Sequence, residues 1–230
     1  MADEIGEGAF KGKLMFSFGD SICHGHYYPK FTFPKRVAEL EGMDYVCHAV
    51  NGSTIIDFTE PDSPYHDTTH HILRQVKNAA ADHVDPDVII FDGGVNDAVH
   101  NDIDIVEFGR MFRMTAELIR KRWPNALTVY VTVHRLWKRD WDVQVAVYGE
   151  AVRICGELGI PVANMFEDSP MDTRDPEVGK TLSFDEVDAD GEPIVAGNGT
   201  HPCPAAVERY YVPLVRETLH NPTAHIPAVR

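Results

Sequence analysis

The sequence predicts an α/β fold, a parallel sheet with helices on both faces, and three observations predict it. Short apolar runs alternate with longer stretches of helical period along most of the chain. Most of the short runs are continuously apolar rather than alternating, as strands covered on both faces are. The strand–helix pattern recurs in series, and such a series builds a parallel sheet with right-handed crossovers.

Taken in order, LMFSF from Leu14 to Phe18 predicts the first strand, and PKRVAELEG, ending at Gly42, the helix after it. DYVCHAV from Asp44 to Val50 predicts the second strand, followed by a helical stretch between Thr69 and His83. DVIIFDG from Asp87 to Gly93 comes third, and its helix runs from Val106 to Arg122. LTVYVTV from Leu127 to Val133 is the fourth, with a helix from Val143 that stops at Gly159, a residue suited to a helix C-terminus. IPVANM from Ile160 to Met165 is the fifth, and the last helix spans about Pro204 to Leu219. Residues 1–12 read as a loose extension, 13–230 as a single domain, and 166–197 as an acidic loop insertion.

Composition narrows the function. A chain of 230 residues with 43% hydrophobic residues can bury a substantial core. The net charge of -15 argues against nucleic acid as partner, because phosphate binding needs a basic surface. The opening MADEIGEGAFKGK lacks an apolar signal region, and no segment approaches the uninterrupted apolar length of a membrane span. The expectation is a cytoplasmic protein without a membrane partner, in which Cys23, Cys47, Cys155 and Cys203 are reduced thiols. Self-association is left open.

Ligands of such sheets bind at the carboxyl ends of the strands. There the sequence places GDSICHG with Ser21, NGST with Gly52, GGVND with Asn96 and Asp97, and, ahead of the last helix, GNGTHPCP with His201. A hydroxyl, a backbone N–H, a side-chain amide and an imidazole converging on one edge are the parts of acyl transfer. Ser21 would attack the carbonyl, and His201 would take its proton and pass it to the leaving group. The N–H groups of Ser21 and Gly52, with the Asn96 amide, would stabilise the oxyanion. Asp20 and Asp97 would brace the loops.

These blocks, GDS at Gly19, AVNGSTI at Ala49, GGVND at Gly93 and NGTHP at Asn198, resemble those of the SGNH (GDSL-like) hydrolases, in order and over nearly the whole chain after residue 12. The resemblance implies a flavodoxin-like, three-layer sheet of order 2-1-3-4-5. It also implies hydrolysis of esters, thioesters or O-acetyl groups with no metal or organic cofactor, the serine, glycine, asparagine and histidine being Ser21, Gly52, Asn96 and His201. One position departs. The family's last block reads Asp-x-x-His, whereas here Asn198 precedes His201. Asn198 could hold the imidazole through its carbonyl oxygen. Alternatively a carboxylate of the acidic loop, among them Asp185, Glu186, Asp188, Asp190 and Glu192, folds back onto His201.

Other signals are weaker. His24 and His26, with Tyr27 and Tyr28, would line the entrance, and the His66, His70 and His71 group lacks the spacing of a metal site. Asp188, Asp190 and Gly191 fit a hairpin turn better than a calcium loop, whose final Glu is here Gly197. HRLWKRDW places Trp137 and Trp141 beside Arg135, Lys138 and Arg139 on the active-site edge, a surface suited to an anionic or sugar-bearing substrate or simply a packed lid. The expected substrate is a small short-chain acyl ester or O-acetylated carbohydrate. The alternatives are a thioesterase or lysophospholipase, a non-catalytic carbohydrate-binding protein on the same fold, and a flavodoxin-like nucleotide binder. The last is disfavoured because GDSICHG has neither a P-loop lysine nor GxGxxG.

Overall fold

Five parallel strands form the central sheet of the computed structural model, which describes residues 8–58, 70–79 and 84–229. They are β1 (Leu14–Phe18), β2 (Asp44–Cys47), β3 (Val88–Phe91), β4 (Leu127–Val131) and β5 (Val162–Ala163), in the order β2-β1-β3-β4-β5. The helices are α1 (Ser21–His24), α2 (Phe33–Glu41), α3 (Ile72–Ala79), α4 (Ile105–Arg122), α5 (Trp141–Leu158) and α6 (Pro176–Leu182). At the C-terminal end α7 (Pro204–Ala206) runs through a π-helical stretch, Val207–Tyr211, into α8 (Val212–His220). This is the three-layer flavodoxin-like arrangement.

The continuous apolar strands explain the layers. Successive side chains leave a strand on opposite faces. Met15, Val88, Ile90, Val129 and Val131 therefore join one core with Phe33 and Val37 of α2 and Val215 of α8. Phe16, Phe18, Ile89, Phe91 and Tyr130 join the other, against Val76 of α3, Phe112 of α4 and Ile154 of α5. Each such fully buried side chain contributes roughly 1.5–3 kcal/mol relative to exposure. Helix ends follow local chemistry as well. Asp104 and Asp140 cap α4 and α5 through their carboxylates, and Gly42 and Gly159 close α2 and α5 in the left-handed region.

Several expectations need correction. The second strand is a mostly exposed edge rather than a buried run, since it has a neighbour on one side only. The helix expected from Thr69 begins at Ile72, because a parallel bridge between His71 and Thr54 holds the chain extended there; Thr69 and residues 80–83 lie outside the described residues. Residues 8–12 are not loose: Phe10 is buried with its ring edge-on to His220, and the Gly12 N–H donates to the Gly42 carbonyl. The segment 166–197 is not merely a loop. It contains α6 and an antiparallel hairpin of β6 (Phe184–Val187) and β7 (Pro193–Val195), turned at Asp188, whose carboxylate accepts from the N–H groups of Asp190 and Glu192.

Candidate active site

Ser21 is the first residue of α1, directly after β1. The chain enters that helix through Gly19 at φ +153°, and a Cβ there would lie 1.7 Å from Asp92 Oδ1. Only glycine fits, because Asp92 needs that space to accept the Asp20 N–H at 3.0 Å. Asp20 in turn caps α1 by accepting from the Ile22 N–H at 2.9 Å. The Gln75 side chain of α3 completes the clamp: Oε1 accepts the Gly19 N–H at 2.9 Å, and Nε2 donates to the Gly19 carbonyl and to Ser53 Oγ, both at 2.8 Å. Gly19→Ala is expected to lower stability by about 3 kcal/mol or more, through backbone displacement at a fully packed turn, and the drop in thermal midpoint measures it.

The second and third loops are tied to the first. Gly52 lies in the left-handed region at φ +77°, and its N–H, like that of Ser21, donates to no acceptor among the described residues. Asn96 Nδ2 donates to the Ser53 carbonyl at 2.9 Å, which uses one of its two protons. Buried Asp97 accepts from the N–H groups of Ile55 and Ile56 and so pins the loop that carries Gly52. Burial of these carboxyls raises their pKa values, Asp20 to about 7 with Asp97 adding to the effect, and Asp97 to about 6. Asp92 is likewise pushed well up, by burial and then by the neighbouring Asp20.

His201 comes to Ser21 from the far end of the chain, its Nε2 3.0 Å from Ser21 Oγ. The Phe184 N–H donates to the His201 carbonyl, and the Cys203 N–H to that of Leu182, so 182–184 runs beside 201–203. The next residue, Asp185, therefore faces the imidazole, with Oδ1 3.7 Å from Nδ1. Both atoms are buried, and neither has a hydrogen-bond partner at this separation. The other carboxylate oxygen, Oδ2, accepts the Asn198 N–H at 3.0 Å. Burial, then the neighbouring His26, His134 and Arg139, lowers the His201 pKa to about 3. The ring is neutral and able to accept a proton.

Asn198 does not reach His201. Its Oδ1 accepts the Thr200 N–H at 3.0 Å, closing an Asx turn, and its carbonyl accepts from Trp137 Nε1 at 2.5 Å. The amide at this position shapes the turn, while its backbone N–H holds Asp185. The turn is also fixed at Gly199, whose carbonyl accepts from His134 Nε2 at 2.7 Å and Thr173 Oγ1 at 3.0 Å.

The remaining candidates divide. Trp137 stands half-exposed beside the His201 loop. Trp141 instead stacks on Phe166 at 5.5 Å under the Arg174 guanidinium, and its ring contacts involve neither Ser21 nor His201. His24, part-buried, hydrogen-bonds the Ala49 carbonyl through Nδ1 at 2.9 Å, and His26 lies flat against His201. His71 bonds the Ile55 carbonyl through Nε2, while His66 lies outside the described residues. Among the described residues no group of His, Cys, Asp and Glu is arranged to hold a metal ion, and no helix is long and apolar enough to cross a membrane. The clamping roles of Asp92 and Gln75 had no sequence signal beyond their places at a strand end and on a helix. Asp185 had only its membership of the acidic loop.

Comparison with curated protein sequences gives no match. Among solved structures, a lipolytic protein of the G-D-S-L family from Veillonella parvula superposes with a TM-score of 0.62 at 14% identity, over 89% of this chain and 96% of that one. An active-site mutant of a family two carbohydrate esterase from Clostridium thermocellum gives 0.59 at 14% identity, over 94% of this chain and 65% of that one. TesA gives 0.58 at 17% identity, over 90% and 98%. These likenesses establish the fold. The sequence itself matches a family profile over residues 17–209, a span that contains Ser21, Gly52, Asn96 and His201. The chain belongs to the GDSL-like lipase/acylhydrolase family.

Proposed function

We propose that this protein is a serine hydrolase that cleaves short-chain acyl esters or O-acetyl groups through an acyl-enzyme on Ser21. The observation that carries the reading is the 3.0 Å contact between Ser21 Oγ and a neutral His201 Nε2. In the first half-reaction the Ser21 oxygen bonds the ester carbonyl carbon while His201 takes its proton. The alcohol then leaves with that proton. Water, activated by the same imidazole, releases the acid and restores the serine. The oxyanion would be held by the Ser21 and Gly52 N–H groups and the second amide proton of Asn96.

Asp185 is the third member of this proposed triad. Its Oδ1 would accept the Nδ1 proton and select the tautomer whose Nε2 lone pair faces Ser21. Bonds of this kind are often long before substrate binds and tighten in the complex, which suits the 3.7 Å separation.

A carbohydrate ester is the favoured substrate class. Trp137 offers a half-exposed indole beside the His201 turn, with the Lys138 ammonium 5.5 Å from its ring centre. The structurally similar esterase from Clostridium thermocellum is described in complex with cellohexaose. Labelling with a fluorophosphonate, followed by peptide mass spectrometry, tests the nucleophile directly. Adduct on the Ser21 peptide is the expected result, and labelling elsewhere or none would discard the assignment. Asn96→Ala should lower kcat by about 10²–10³-fold on an acetyl ester, with a modest fall in melting temperature from the lost bond to the Ser53 carbonyl.

A further inference from the structure

His26 is the one non-glycine among the described residues with positive φ, at +52°, a conformation that L-residues rarely adopt. Three hydrogen bonds hold it there. Its N–H donates to the Ser21 carbonyl at 2.9 Å, its carbonyl accepts from Asn51 Nδ2 at 3.1 Å, and ring Nε2 donates to the Asp185 carbonyl at 3.1 Å. The result is an imidazole lying flat on His201, with ring centres 3.7 Å apart and planes 7° apart. Tyr27 and Phe184 cover its surroundings at 4.1 and 5.9 Å.

We propose that His26 is a positioning residue for His201: as a neutral ring it fixes the plane in which Nε2 meets Ser21 and Nδ1 faces Asp185, and on gaining a proton it silences that base. The proposal rests on the reading of His201 as the catalytic base. Before substrate draws Asp185 onto Nδ1, the bond from Nε2 to Ser21 is the ring's one hydrogen bond among the described residues and does not by itself fix the ring plane. The stacked face of His26 supplies the missing constraint. Asp185 keeps the two rings in register, since its main-chain carbonyl holds His26 while its side chain faces His201. A strained backbone bound at three points is the kind of feature that persists where function requires a particular orientation.

The charge argument follows from the same stack. His201 becomes an imidazolium in each proton transfer. A neutral ring against it is tolerated, whereas a second imidazolium at that separation repels it. The groups facing His26 are His201 itself, Asp185 on β6, His24 on α1 and the Tyr27 phenol. Those facing His201 also include His134 after β4 and Arg139 before α5. Burial, with His24 adding to it and Asp185 opposing it, holds His26 below the ordinary histidine value. His201 is held lower still. As pH falls the pair therefore takes its first proton on His26, and turnover falls with it. With His26 replaced by a ring that cannot be protonated, His201 would titrate alone, below the first step of the pair and above its second.

The test compares wild type with His26→Ala and His26→Phe by steady-state hydrolysis of p-nitrophenyl acetate across the acid and neutral range. His26→Ala should lower kcat by about 10–100-fold with KM changed by less than about threefold, the signature of a misplaced base. His26→Phe should recover kcat to within about threefold and remain active to lower pH than wild type. Wild-type kcat in the alanine variant, a phenylalanine variant as slow as alanine, or an unmoved acid limb would each overturn the proposal. Histidine NMR titration reads the same pair without turnover, and His201 should titrate at higher pH in His26→Phe than in wild type. Coincident titrations reject the pairing. A wild-type protein inert to acyl esters would instead remove the hydrolase reading, while the titration would still decide the role of His26.

Discussion

Ser21→Ala is expected to reduce hydrolysis of p-nitrophenyl acetate to the uncatalysed background, a loss of about 10⁴-fold or more. The magnitude follows from the chemistry: without the hydroxyl no acyl-enzyme forms, and His201 has no proton to take. His201 Nε2 faces the Ser21 hydroxyl directly, so removing that oxygen removes the group the base acts on. The change is also sterically mild. Ser21 is nearly buried, and its Oγ bonds only His201, so the variant should fold as wild type does. Initial rates of p-nitrophenol release beside a matched melting temperature check both points. Equal rates in the two proteins would mean that the contact between Ser21 and His201 does no acyl chemistry, and would favour a binding protein on this fold.

The second large effect concerns the imidazole's partner. Asp185→Asn should lower kcat by about 10²–10⁴-fold, whereas Asn198→Asp should not raise it. An asparagine at 185 can turn its NH₂ towards Nδ1. That choice protonates Nε2 and leaves no lone pair for Ser21. A carboxylate at 198 would keep its Oδ1 on the Thr200 N–H and add a charge beside Asp185, whose Oδ2 already accepts from the residue-198 backbone. It would not reach Nδ1, and it would repel Asp185. The two variants, assayed side by side, give opposite readings of the site. If Asn198→Asp gains turnover while Asp185→Asn is silent, the acid position lies in the last block after all.

Much of the fold was legible because its signals are local. β1 is the apolar run Leu14–Phe18 to the residue, and the continuous runs of β3 and β4 follow from burial on both faces. Edge position was not legible. Asp44–Cys47 carries an apolar pattern similar to the others, and only the strand order leaves it exposed. At the site, the residue pair Ser21 and His201 could be named because each lies in a recognisable block at a strand end or before a helix, although 180 residues separate them.

The choice between Asn198 and Asp185 illustrates the remainder. Asn198 sits in the expected position of the block, but the direction of its side chain is decided by the Thr200 N–H two residues on. Asp185 lies among several carboxylates indistinguishable in sequence, and becomes the one at His201 because Phe184 pairs with the His201 backbone. Gln75 and Asp92 likewise meet the Gly19–Asp20 turn across 56 and 72 residues, with nothing local to announce it. The sequence by itself determined the strands, the helices and the chemistry gathered at one sheet edge, since periodicity and turn residues are properties of neighbours along the chain. Which carboxylate faces His201, and which ring lies against it, was decided only by the tertiary structure, because those contacts depend on backbone pairing and side-chain direction between segments far apart in sequence.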